Sequence, residues 1–157
     1  MCIGNNSKVR GFEIVEDEFR KYPNVDIQLP QRGTSQAMAY DFFSPIDIEL
    51  FPNEKLLVFT DIKVYMQNGE AFILNPRSSM GKLDLVFANT QGWIDADYYG
   101  NKSNDGNIGI YLKNNGDKVV KIKQGDRIGQ GAFIPFLVAD NGNTDMVREG
   151  GYGSTGK

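Results

Sequence analysis

Apolar residues recur along the whole chain in short runs that alternate with polar positions or stop after a few residues. Runs of this kind, bounded by Gly, Pro, Asn and Asp, predict β-strands; a helix would repeat its apolar positions every three or four residues. Strands are predicted over Arg10–Val15, Met38–Phe43, Asp47–Phe51, Lys55–Thr60, Ile62–Met66, Ala71–Leu74, Leu83–Phe87, Ile108–Leu112, Lys118–Ile122 and Arg127–Pro135. Ile27–Pro30 reads as short and extended, Gln31–Ala37 as a polar loop, and Gln124–Asp126 as a turn. Glu16–Lys21 has room for one or two helical turns, stopped ahead of Pro23. Gly92–Tyr98 lies between two apolar runs, and its turn formers Gly92, Asp95 and Asp97, with Gly100 just beyond, predict the tight bend of a β-hairpin. Many short strands with turn signals and almost no helical periodicity predict an all-β sandwich, jelly roll or barrel. There is no internal repeat and no domain linker.

Beyond Asn141 the chain turns Gly-, Asn- and Ser-rich, and Gly150–Lys157 holds four glycines. Such a tail cannot bury itself. The expected division is a β domain over residues 1–149 and an arm over residues 150–157, read either as a frayed end or as a segment that orders over a ligand.

At 157 residues the chain is long enough for a real core. No apolar run approaches the ~18 residues of a membrane span, and the polar start from Met1 to Arg10 lacks an apolar signal core, so a cytoplasmic protein without membrane contact is expected. There is no histidine, which excludes histidine bases and ligands. Cys2 is the lone cysteine and reads as an incidental thiol, so neither a disulfide nor a thiolate zinc cage is available. Proton transfer in an enzyme of this composition falls to carboxylates, tyrosine or lysine, and any metal should be a hard cation held by oxygen, such as Mg²⁺. A net charge of −3 argues against non-specific nucleic-acid binding.

Candidate chemistry sits in the turns. A carboxylate fixed in Gly92–Tyr98 is placed to act as a general base. Pro76–Gly81 sets Arg77 beside Ser78 and Ser79, a combination that suits phosphate oxygens, although taken alone a plain polar loop with a surface arginine is the better reading. Gly151–Lys157 contains G-x-x-x-x-G-K but has neither the preceding strand nor the following helix of a P-loop. Asn101, Ser103, Asp105 and Gly106 mimic the start of a calcium loop, yet position twelve is Leu112, so a plain loop is the better reading. Asp126–Arg127, with Gln130, reads as a structural pair at a strand start.

Met38–Phe42, Pro76–Gly81, Gly92–Tyr98, Gly125–Gln130 and Gly150–Gly156 together resemble the five ordered motifs of the trimeric dUTPases, most closely those of Gram-positive bacteria and their phages. The resemblance covers the chain from about Ile27 onward. It implies a jelly-roll homotrimer with a swapped C-terminal arm and active sites between subunits, hydrolysing dUTP to dUMP and pyrophosphate with Mg²⁺. It implies that Asp95 is the base that activates water, with Arg77 and Gln130 beside the reacting phosphates. Ser78 and Ser79 fall in the phosphate motif, and Asn89 matches the amide that reads uracil. Tyr98 matches the ring under deoxyribose that excludes a 2′-hydroxyl. Asp41 matches a carboxylate that helps hold the metal's water shell or a site partner. Tyr152 matches the arm aromatic that stacks on uracil, while Arg148, Ser154 and Thr155 match the arm's phosphate grip. The sequence departs from the pattern at Ala39 (usually Gly), Tyr99 (often Arg) and Gly129 (usually Ala). Arg148 also stands one residue closer to the arm aromatic, and the Asn101–Asn107 loop is longer. Two other readings stay open: a dCTP deaminase of the same fold, and a phage regulatory protein that binds a host protein through a loop such as Asn101–Asn107.

Overall fold

The computed structural model describes residues 7–142 and 144–151. Twelve strands form in chain order: β1 (Gly11–Ile14), β2 (Gln31–Arg32), β3 (Tyr40–Phe43), β4 (Ile48–Leu50), β5 (Lys55–Phe59), β6 (Ile62–Tyr65), β7 (Glu70–Asn75), β8 (Leu85–Phe87), β9 (Gly92–Asp95), β10 (Gly109–Asn114), β11 (Val120–Ile122) and β12 (Arg127–Pro135). The described helix is three short 3₁₀ turns at Asp17–Phe19, Ser78–Leu83 and Ala96–Tyr98. No helix among the described residues is long and apolar enough to cross a membrane. The all-β expectation holds, and the architecture is the jelly roll.

Every strand pair is antiparallel. The largest sheet runs β2-β3-β12-β7-β9; the others are β5-β10-β8, β11-β4 and β1-β6. The core lies between them. Phe12, Phe42, Phe72 and Phe133 pack edge to face or tilted at one end, with ring centroids 4.9–6.0 Å apart. Val58, Phe87, Ile110, Leu112 and Ile128 continue the core on the far side. Phe72 lies over Gly131, where a Cβ would come within 2.2 Å of the Phe72 ring. That glycine lets the middle strands approach without losing the aromatic.

Buried polar side chains tie the loops to this frame. Asp61, fully buried and at φ 58°, accepts from the Lys21 and Tyr22 N–H groups and from Asn107 Nδ2, each at 2.8–2.9 Å. Asn114 donates to the carbonyls of Leu50 and Lys118 and accepts from Gly116 N–H, linking β10 to β4 and to the approach of β11.

Four local expectations are corrected. Gly92–Asp95 is the strand β9, paired with β7, and not the bend of a hairpin. The turn falls earlier, at 88–91, where Thr90 takes φ 70° and its N–H reaches Phe87 O. Gly92 lacks a side chain because the Leu74 Cβ stands 3.2 Å from where its own would be. Leu83 and Asp84 do not begin a strand: Leu83 closes a 3₁₀ turn and Asp84 caps it in the left-handed region. Gln31–Arg32 pairs with β3, so the loop expected there starts with a short strand. Arg127 turns to Asp41 and not to Asp126, whose carboxylate instead caps Lys123 N–H.

Gly131→Ala should destabilise the fold by about 1–3 kcal/mol, the usual cost of an overpacked core. Gly33→Ala, with open space around it, should stay within about 0.5 kcal/mol. Urea denaturation of the two variants checks the contrast.

Candidate active site

The five-stranded sheet carries chemistry at both ends. At one end, register sets Gln130 of β12 opposite Asp41 of β3 on one side and Asn75 of β7 on the other. Asp41 is 8 % exposed and accepts from Arg77 Nε at 2.9 Å, with Arg127 Nε 3.3 Å from its second oxygen. Two guanidinium groups on one carboxylate leave a net positive charge facing solvent. Arg77 enters from the turn after β7, held where buried Met80 plugs the 3₁₀ turn, and its Nη1 lies 3.4 Å from Ser79 Oγ. Ser78 and Ser79 are exposed beside it. Gln130 donates to Pro76 O at 3.4 Å. Lys121 adds a further cation to the wall of a depression of about 430 Å³ that Arg77, Ser79 and Arg127 share.

A second depression of about 300 Å³ runs along β9, from Gly92 and Asn89 to Asp95, and reaches the start of β10. Leu74, Ile94 and Ile108 form its apolar walls, Asn89 its polar lip, and the Tyr98 ring its inner face. Asp95, more than half exposed, stands at the rim as the last residue of β9. Arg148 reaches over from the C-terminal segment: Nη2 pairs with Asp95, Nε bonds Asp97 at 2.8 Å, and Nη1 bonds Gly150 O at 3.3 Å. Gly151 then lies against the Tyr98 ring so closely that a Cβ would clash at 2.4 Å. Asn89 Nδ2 bonds Gln91 O at 3.3 Å, and Gln91 links Trp93 to Asn75. Burial raises the Tyr98 phenol above its usual range, so the ring stays neutral and its hydroxyl stays a donor.

The two depressions share no lining residue. Asp95 lies opposite Ala71, four positions along β7 from Asn75, and Gln130 lies one strand further over. Standard strand spacings put Asp95 and Gln130 about 16 Å apart. One copy of the chain therefore gathers Asp41, Arg77, Ser78, Ser79 and Gln130 at one end of the sheet and sets Asp95, Tyr98 and Arg148 at the other, with Asn89 between them beside Gln91, which bonds Asn75. Tyr152, Ser154 and Thr155 lie outside the described residues.

Lys63 went unread in the sequence, and Arg127 and Asp105 were read in other roles. Arg127, the second cation on Asp41, is signalled only by its place three residues before Gln130. Lys63 is a charge inside an apolar run, which should have pointed to a buried partner: it is 4 % exposed and bonds Asp105 at 2.8 Å. Asp105 also accepts from Glu16 N–H. The Asn101–Asn107 loop is thereby drawn inward, and only Lys102 and Ser103 are exposed. Tyr99 stacks on Lys63 and donates to Glu13 at 2.7 Å, which pushes its phenol up to about 12. At Gly129, a Cβ would meet Phe87 and Ile110 at 3.1–3.2 Å, so these larger neighbours fill the space of an alanine methyl.

Fold and site define an all-β protein that sets arginines and carboxylates along one five-stranded sheet. Comparison with known proteins gives the family. The family model described as dUTPase matches residues 25–156. The deoxyuridine 5′-triphosphate nucleotidohydrolase of Lactococcus lactis is 41 % identical over 152 residues, covering 95 % of this chain and 99 % of that one. The dUTPase structure from Streptococcus mutans superposes with a TM-score of 0.71 at 37 % identity, covering 83 % of this chain and 99 % of that one. The dUTPase of Staphylococcus bacteriophage 80alpha shares the fold at a TM-score of 0.67 and 21 % identity, over 89 % of this chain and 98 % of that one. The chain belongs to the dUTPase family, hydrolases of nucleotide metabolism.

Asp105→Ala should cost about 3–5 kcal/mol, because it leaves the Lys63 ammonium buried without its close partner. Exposed Lys102→Ala should stay within about 0.5 kcal/mol. Thermal and urea melts of the two variants check this.

Proposed function

We propose that the chain hydrolyses dUTP to dUMP and pyrophosphate in a homotrimer, each site joining the Asp95 end of one copy to the Arg77 end of another. The observation that carries the reading is Asp95 at the rim of a pocket with Tyr98 as its face and Asn89 at its lip. Uracil would sit against Asn89 and the β9 backbone, where groups left unpaired by cytosine discriminate by up to ~10⁴-fold. Deoxyribose would rest on the Tyr98 ring, which leaves no room for a 2′-hydroxyl. Asp95 takes the proton from a water whose oxygen attacks the α-phosphorus; the bond to the bridging oxygen of the β-phosphate breaks, and pyrophosphate departs with that electron pair.

Arg77, Ser78, Ser79 and Gln130 of the other copy hold the phosphates, with Arg127 adding charge. In the free chain Arg148 is paired with Asp95 and Asp97. A triphosphate competes for that guanidinium, and its transfer to phosphate frees Asp95 as an acceptor. Among the described residues no three carboxylates gather into a metal cage. The donor set fits Mg²⁺ held by phosphate oxygens and water, with Asp41, whose oxygens keep lone pairs beside their arginine bonds, accepting from a bound water. Bound there, Mg²⁺ would neutralise charge building on the leaving pyrophosphate. Residues 150–157 form the arm, with Tyr152 over uracil and Ser154 and Thr155 on phosphate. The cytoplasmic setting goes with a triphosphate substrate, too highly charged to cross a membrane unaided.

Pyrophosphate release from dUTP, UTP, dTTP and dCTP with Mg²⁺ tests the reading. Strong preference for dUTP is expected; ammonia from dCTP would make the chain a deaminase. Asp95→Asn should lower kcat by ~10²–10⁴-fold with dUTP still bound, the general-base share of the rate. A variant keeping half the wild-type kcat would take the role from Asp95. Deleting residues 150–157 should leave the melting temperature in place and sharply reduce kcat/KM. An unchanged kcat/KM would make the tail a frayed end.

A further inference from the structure

We infer that Asn104, from the loop between Tyr98 and β10, is a positioning residue that fixes the tilt of the Tyr98 ring and so sets how strongly the site rejects a 2′-hydroxyl; this rests on the dUTP reading above. The Tyr98 hydroxyl is engaged on both sides. It donates to Asn107 O at 2.7 Å and accepts from Asn104 Nδ2 at 2.8 Å. A ring fixed only by its Cβ can swing about its χ angles, whereas a ring held at its tip by a donor and an acceptor keeps one plane and depth.

The loop that presents Asn104 is itself built to hold still. Asn101 Nδ2 bonds Tyr98 O and Asn104 Oδ1, and Asn101 Oδ1 accepts from the N–H groups of Ser103 and Asn104. Asn104 Oδ1 also accepts from Gly106 N–H at 3.0 Å. Gly106, at φ 84°, presses on the backbone of Tyr98 and Tyr99 where a Cβ would come within 2.9–3.0 Å, so only glycine closes the loop there. Beneath it Asp105 is clamped by Lys63 and Glu16 N–H. The amide of Asn104 thus connects a loop anchored in the core to the tip of the ring that lines the pocket. The ring also meets Gly151, and Arg148 of the same segment lines the pocket beside it. A tilt of the ring opens space where a ribose hydroxyl would enter.

The test is the ratio of kcat/KM for dUTP over UTP in four proteins: wild type, Asn104→Asp, Tyr98→Phe and the double variant. Asn104→Asp keeps the acceptor for Gly106 and Asn101 and removes the donor to Tyr98. It should lower the ratio by about 3–10-fold, the span of one positioned hydrogen bond, acting through KM more than kcat. In the Tyr98→Phe background the same change should leave the ratio unmoved, since no hydroxyl remains to be held. Asn104→Ser, too short to reach Tyr98 and uncharged, is the second variant should the carboxylate upset folding, and melting curves report the fold of each. A ratio unchanged by both Asn104 variants, or lowered equally in both backgrounds, overturns the inference while dUTP turnover stands. Absence of dUTP turnover by the wild type removes the functional reading itself, and this inference with it.

Discussion

Antiparallel pairing of β12 with β3 on one side and β7 on the other is the constraint from which the rest follows. It is possible because Gly131 lets Phe72 lie across the strand. With that register fixed, Asp41, Gln130 and Asn75 fall side by side, and the chain leaving β7 must deliver Arg77 onto Asp41. The same register carries β9 along the other edge of β7, so that Asp95 ends up beside Ala71, at the opposite end. The separation of Asp95 from the cationic cluster is therefore a property of strand pairing.

Around this sheet, small buried polar groups do what longer helices do elsewhere. Asp61, Asn107 and Asn114 each satisfy several backbone groups that the short strands leave unpaired, in keeping with the cost of burying an amide without a partner. The Lys63–Asp105 pair extends the same device to the loop behind the pocket. A buried pair of this kind adds little net stability, yet it is costly to break, which suits a loop that has to present one side chain in one place.

The strand pattern was legible because period-two alternation depends on neighbours in sequence. The extended state of Gly92–Asp95 was not: its glycine and aspartates carry turn chemistry, and only the tertiary pairing with β7 overrides it. Asp95, Tyr98, Arg77 and Asp41 were legible as candidates through motifs, as residue types at fixed spacing. Their partners were not. Arg127 reaches Asp41 from a distant strand, and Asn104 reaches Tyr98 only after the loop has folded back on itself. Arg148 was read as a phosphate ligand, while in the free chain it sits on Asp95 and Asp97. Sequence order carries no record of a contact that forms only when the C-terminal segment folds back onto β9.

A working site, in the reading proposed here, joins the carboxylate end of one copy to the arginine end of another. Subunit mixing measures this most directly. Asp95→Asn and Arg77→Ala copies, each without activity alone, are unfolded together, refolded and assayed for pyrophosphate release from dUTP, with native mass spectrometry recording the mixed assemblies. Activity that appears in the mixture and in neither parent is the expected result, because some sites then combine an intact Asp95 with an intact Arg77. Mixed assemblies that form and stay inactive at every ratio would contradict it, and would place both ends of the reaction within a single chain.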